Sequence, residues 1–132
     1  MGTIVVGYVP KPEGQAALRT SVSEAKLRGS RLIVVNSNRG GRDMDDDDSV
    51  RSQAQLSEID AELADTGIEY EVRQFVRGLE PAEDLIEIAD EAGAELIVIG
   101  LRRRTPLGKL ILGSNAQQVL LDATCPVLAV KA

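Results

Sequence analysis

Histidine and tryptophan are absent from the 132-residue sequence, and cysteine occurs once. Without histidine there is no Ser-His-Asp or Cys-His nucleophilic machinery and no imidazole to hold a metal; a lone cysteine forms neither a CxxC redox pair nor an intramolecular disulfide. Aromatic residues make up only 2% of the chain, so the core has to be aliphatic. No stacking platform for single-stranded nucleic acid can be assembled from so few rings. No apolar run approaches the roughly 18 residues of a membrane-spanning helix, and the first residues lack the charged-then-apolar pattern of an export signal. Met1-Gly2 is followed by Val6 where myristoylation needs Ser or Thr. These absences give the expectation of a cytoplasmic protein that binds no membrane.

What is present is ordinary for a globular domain. Hydrophobic residues are 43% and charged residues 27% of the chain, whose length suits a single domain over residues 1–132. The net charge is -6 from 21 acidic and 15 basic residues, and a large part of the excess is concentrated at Asp43 and Asp45 to Asp48. Elsewhere the charges nearly balance, and the overall sign argues against binding a nucleic acid backbone.

Short β-branched runs alternate with stretches of helical period. Ile4 to Val6 read as a first strand, followed by a helix with Leu18, Val22 and Ala25 on one face that stops at Gly29. Leu32 to Val35 make a second strand, and a polar loop from about Ser37 to Asp48 leads into a helix carrying Leu56, Ile59 and Leu63, which stops at Gly67. In the third strand Ile68, Tyr70 and Val72 alternate with Glu69, Glu71 and Arg73, the pattern of a sheet edge with one wet face. Pro81 opens a third helix with Leu85, Ile88, Ala89 and Ala92 as its stripe, closed by Gly93. Leu96 to Ile99 form a fourth strand, Ala116, Val119, Leu120 and Ala123 mark a fourth helix, and Val127 to Val130 form the last strand.

Strands and helices alternating in this way imply an α/β fold, a parallel sheet covered by helices on both faces, because parallel strands need crossover helices. Ligands in such folds sit beyond the carboxyl ends of the strands where strand order reverses, which directs attention to the loops after strands one, two and four. The loop after strand four runs from Gly100 to Leu112 and enters a helix at Gly113-Ser114. Free backbone N–H groups and a hydroxyl at such a junction suit a phosphate. Ser114 with Gln117 three residues on is equally a capping box, which would satisfy those donors internally. The stretch is no Walker loop: Arg103 stands where the first glycine is required and Leu110 where Ser or Thr is required.

From Glu95-Leu-Ile-Val-Ile-Gly100 through Leu112-Gly113-Ser114-Asn115 to Cys125-Pro-Val-Leu-Ala-Val130, with Ile4-Val-Val-Gly7 and Gly78-Leu-Glu-Pro81 before them, the chain resembles the universal stress protein family over essentially its whole length. The resemblance implies a flavodoxin-like (adenine nucleotide alpha hydrolase-like) five-stranded parallel sheet in the order 3-2-1-4-5, and usually a homodimer. In many members it implies ATP or another adenine nucleotide as ligand. They bind it through Gly-x2-Gly-x9-Gly-Ser/Thr after strand four, an Asp ending strand one and the backbone just after strand two. Gly100 matches the first glycine and Gly113 and Ser114 the last pair, with Asn115 beside them. Arg103 occupies the second glycine, Val9 stands in place of the Asp, and Asn36 follows strand two. These departures imply adenine nucleotide binding weaker than in members with the full motif.

Arg102, Arg103 and Arg104, with Lys109 nearby, can hold a phosphate-bearing ligand by bidentate bonds in place of glycine amides, or can be a solvated basic loop. The acidic run Asp45 to Asp48 lies at the same edge of the sheet and is able to compete with phosphate for them. As a magnesium site it lacks spaced ligands. A phosphoacceptor receiver domain is excluded, since Val9-Pro10-Lys11 and Val76-Arg77-Gly78 replace the acids it needs. No enzymatic activity is expected, slow ATP hydrolysis being the one reaction left open. The competing reading is a dimeric interaction or regulatory module without nucleotide. Either way the aliphatic edge Val127 to Val130 calls for cover by a second copy.

Overall fold

The two central strands are aliphatic on both sides because both sides are covered. In a computed structural model that describes residues 2–36, 46–74, 81–101 and 113–132, apart from the side chains of residues 46–53, 55 and 74, the elements follow strictly in alternation. They are β1 (Thr3–Tyr8), α1 (Pro12–Arg28), β2 (Arg31–Asn36), α2 (Asp46–Ala64), β3 (Tyr70–Gln74), α3 (Pro81–Ala92), β4 (Leu96–Leu101), α4 (Ser114–Asp122) and β5 (Val127–Lys131). The sheet is parallel in the order β3-β2-β1-β4-β5, with Ile4 opposite both Leu32 and Leu96. This is the flavodoxin-like order that the family resemblance implies.

The period-2 geometry of a strand sorts neighbouring residues onto opposite faces. Ile4, Val6, Leu32, Val34, Leu96 and Val98 point to one layer, where they pack against Leu18 and Ala25 of α1 and Ile59 and Leu63 of α2. Val5, Ile33, Val35, Ile97 and Ile99 point to the other, against Leu85 and Ile88 of α3 and Val119 of α4. At the β3 edge Tyr70 and Val72 join the first layer, while Glu71 accepts a 2.8 Å hydrogen bond from Arg73 Nε on the wet side. Helices α1, α2 and α3 end where left-handed backbone is available, with φ of 66° at Gly29, 75° at Gly67 and 62° at Gly93.

Three local readings of the sequence are corrected. The acidic run does not all belong to the loop, because Asp46, Asp47 and Asp48 form the first turn of α2. Carboxylates are favoured there by the positive end of the helix dipole. Asp43 and Asp45 lie outside the described residues. Leu120, placed on the stripe of α4, is 40% exposed, and only Val119 of that helix is fully buried. The third strand starts at Tyr70; Ile68 precedes it and packs against the core without joining the ladder.

Cys125 sits half-buried just before β5. Burial, and then the negative charge of Asp90, push its thiol above the ordinary range. The reactive species is the thiolate, so the native protein should be alkylated by iodoacetamide more slowly than free cysteine at neutral pH. A rate equal to that of free cysteine would contradict this.

Candidate functional site

Helix α1, which follows β1 in sequence, packs on one face of the sheet, and α4, which follows β4, packs on the other. The divergence opens a crevice at the carboxyl ends of these strands, with a cavity volume of about 440 Å³. Its lower wall is aliphatic, made by Val9, Val35, Leu85 and Ile99. Its polar elements come from helix starts: Lys11 and Glu13 from α1, and Gly113, Ser114 and Asn115 from α4.

Two glycines set the shape of this crevice by letting backbone meet backbone. A Cβ at Gly14 would lie 1.8 Å from the Val9 carbonyl oxygen, and one at Gly100 would lie 2.1 Å from that of Glu13. The first turn of α1 is thereby wedged against the ends of β1 and β4. Gly100 therefore has a structural reason to be glycine before any ligand is considered.

Gly113 differs. It is the N-cap of α4 at φ -66°, ψ 164°, a conformation open to any residue, and among the described residues nothing lies within 4 Å of where its Cβ would be. The expected capping box is not formed: Ser114 is the first helical residue, not the cap, and the Gln117 N–H donates to the Gly113 carbonyl at 3.0 Å. That bond is the first of the helix, so the N–H groups of Ser114, Asn115 and Ala116 have no intrahelical acceptor. All three residues line the crevice, and the first turn of α4 carries no acidic residue to answer its dipole. Tyr8 also lines it; burial, then the charges of Glu58 and Glu62, raise its phenol above the ordinary range and keep it protonated at neutral pH.

Of the residues singled out from sequence, Val9, Gly100, Gly113, Ser114 and Asn115 come together on this one lining. Asn36 does not: it is buried at the end of β2, in register with Tyr8 and Gln74, and is not on the lining among the described residues. Arg102, Arg103, Arg104 and Lys109 lie outside the described residues. Sequence reasoning directed attention to the loop after strand one, from Val9 to Glu13, but singled out neither Lys11 nor Glu13 as a site residue and passed over Gly14. A glycine inside a helical pattern is itself a signal of close approach, and Lys11 between two prolines signals a rigid helix entry. Among the described residues no group of three or more His, Cys, Asp or Glu is placed to hold a metal ion, and no helix is long and apolar enough to cross a membrane.

The family model described as Universal stress protein family matches residues 1–131. A universal stress protein of Mycolicibacterium smegmatis is 44% identical over 128 residues, covering 97% of this chain and 96% of the relative. Among solved structures, a universal stress protein from Archaeoglobus fulgidus is 40% identical with a TM-score of 0.85, covering 99% of both chains. The structure of the universal stress protein from Archaeoglobus fulgidus in complex with dAMP is 36% identical with a TM-score of 0.81, covering 99% of this chain and 98% of that one.

Proposed function

We propose that this chain, which belongs to the universal stress protein family, is a stress-response protein that takes an adenine nucleotide into the crevice, with a phosphate on the first turn of α4. The observation that carries the reading is Gly113. The fold demands glycine at positions 14 and 100 but makes no such demand at 113 among the described residues, where an unobstructed backbone faces the cavity beside three N–H groups without helical acceptors. Backbone N–H groups and the positive end of a helix dipole together make an anion site. The relative solved in complex with dAMP supports the same ligand class. Val9 contributes only apolar surface where a polar side chain would orient the ligand, so affinity is expected to be modest.

Calorimetric titration with dAMP, AMP and ATP tests this. Binding of any of them at a single site supports the reading, and no heat from any at millimolar concentration refutes it. We take the chain to be a binding protein, with slow ATP hydrolysis the one reaction left open.

We further propose a homodimer through β5. Its residues Val127 to Val130 are only half-buried, and the strand pairs with β4 on one side alone. An uncovered aliphatic edge is an invitation to pairing. Leu128→Lys should shift the protein from dimer to monomer in light scattering at tens of micromolar. A wild-type monomer at that concentration would refute the proposal. The rival reading, a dimeric module without nucleotide, draws its support from Val9 and would be favoured by a dimer that binds none of the three nucleotides.

A further inference from the structure

Lys11 is the N-cap of α1 and stands between Pro10 and Pro12. Its backbone is extended, at φ -141° and ψ 165°, and its N–H donates to the Val9 carbonyl at 2.8 Å. A residue before proline is confined to extended conformations, and Pro12 occupies the first helical position, where its missing N–H costs nothing. The root of the lysine side chain is therefore fixed in space before any ligand arrives. Lys11 lines the crevice as an exposed residue, and among the described residues its ammonium makes no ion pair.

The crevice thus holds two separate elements that attract anions: the first turn of α4, packed on one face of the sheet, and Lys11 at the head of α1, packed on the other. A single phosphate seated on α4 leaves Lys11 unused. A ligand that satisfies both must carry a second anionic group, as a chain of phosphates does, and lysine is suited to meet it as a compact point charge. We infer that Lys11 is a specificity-determining residue that makes the crevice favour nucleoside di- and triphosphates over monophosphates. The inference rests on the nucleotide reading of the crevice. Glu13, the one carboxylate on the described lining, opposes the same charge and moderates the preference.

The test is titration of AMP, ADP and ATP without divalent cations into the wild-type protein, Lys11→Met, Lys11→Arg and Glu13→Gln. Inorganic phosphate and tripolyphosphate are run beside them as probes without a base. A charge-assisted bond at an accessible position corresponds to about tenfold in affinity. The wild type should bind ATP about tenfold tighter than AMP, Lys11→Met should bind the two about equally, and Lys11→Arg should keep the step. Glu13→Gln should widen it, because only the side-chain charge changes while the Glu13 backbone stays against Gly100. AMP binding without the tenfold step, or a step that survives in Lys11→Met, overturns the inference and leaves the nucleotide reading standing. Tripolyphosphate that binds in a Lys11-dependent way while no nucleotide binds overturns the nucleotide reading and, with it, the preference among nucleotides. Absence of binding by every probe overturns both.

Discussion

Alanine at Gly14 or at Gly100 is expected to destabilise the fold by about 3 kcal/mol or more, a fall of roughly 10 °C in melting temperature for a domain of this size. Neither glycine has a positive φ, so the effect is purely steric. The new methyl carbon would stand 1.8 Å from the Val9 oxygen in one case and 2.1 Å from the Glu13 oxygen in the other. Both obstacles are backbone carbonyls, which cannot swing aside as a side-chain tip can. Relief requires α1 to move away from the ends of β1 and β4, and with it Leu18 and Ala25, which are buried against the sheet. Overpacking that displaces a helix lies at or beyond the upper end of ordinary costs. Thermal and urea unfolding measure the loss. Variants that melt within a degree of the wild type would show that the wedge does not shape the crevice.

The opposite pattern is expected at Gly113, where ligand binding and not stability should collapse. Gly113→Asp places a good capping side chain and a negative charge at the N-terminus of α4, in a conformation that any residue adopts and in space free of described neighbours. Stability should match the wild type or exceed it by up to about 1 kcal/mol. The same carboxylate takes the N–H groups offered to a phosphate and repels its charge, and like charges brought together cost several kcal/mol. Nucleotide affinity should therefore fall about a hundredfold. A variant that is more stable yet unable to bind separates the anion site from the scaffold. One that keeps wild-type affinity would move the phosphate elsewhere.

The architecture was legible in the sequence where one physical constraint dominated. β1, β2 and β4 are unbroken aliphatic runs because helices cover both faces, and β3 alternates because only one of its faces is covered. Boundaries were harder where two constraints favoured the same residues. Asp46 to Asp48 read as loop because charge favours water, yet charge of that sign equally favours a first helical turn. Ser114 and Gln117 have the spacing of a capping box, but the helix begins one residue earlier than that pattern needs, so Gly113 caps through its backbone alone. The crevice was legible in its α4 half, where glycine and serine stand together. Its α1 half was missed because Gly14 inside a helical pattern and Lys11 between two prolines give only a general signal, while what matters is how close each comes to Val9, a distance set by the fold. Asn36 ends the right strand, but its buried position keeps it off the described lining.

The claim that a nucleotide phosphate rests on the start of α4 is tested most directly by amide chemical shifts during titration with dAMP. Phosphate accepting from backbone N–H groups should shift the amide signals of Ser114, Asn115 and Ala116 most strongly and together, with smaller changes along Val9 to Glu13 and little change in β3. Shifts confined to other parts of the chain, or a saturated complex in which those three amides keep their free positions, would contradict it.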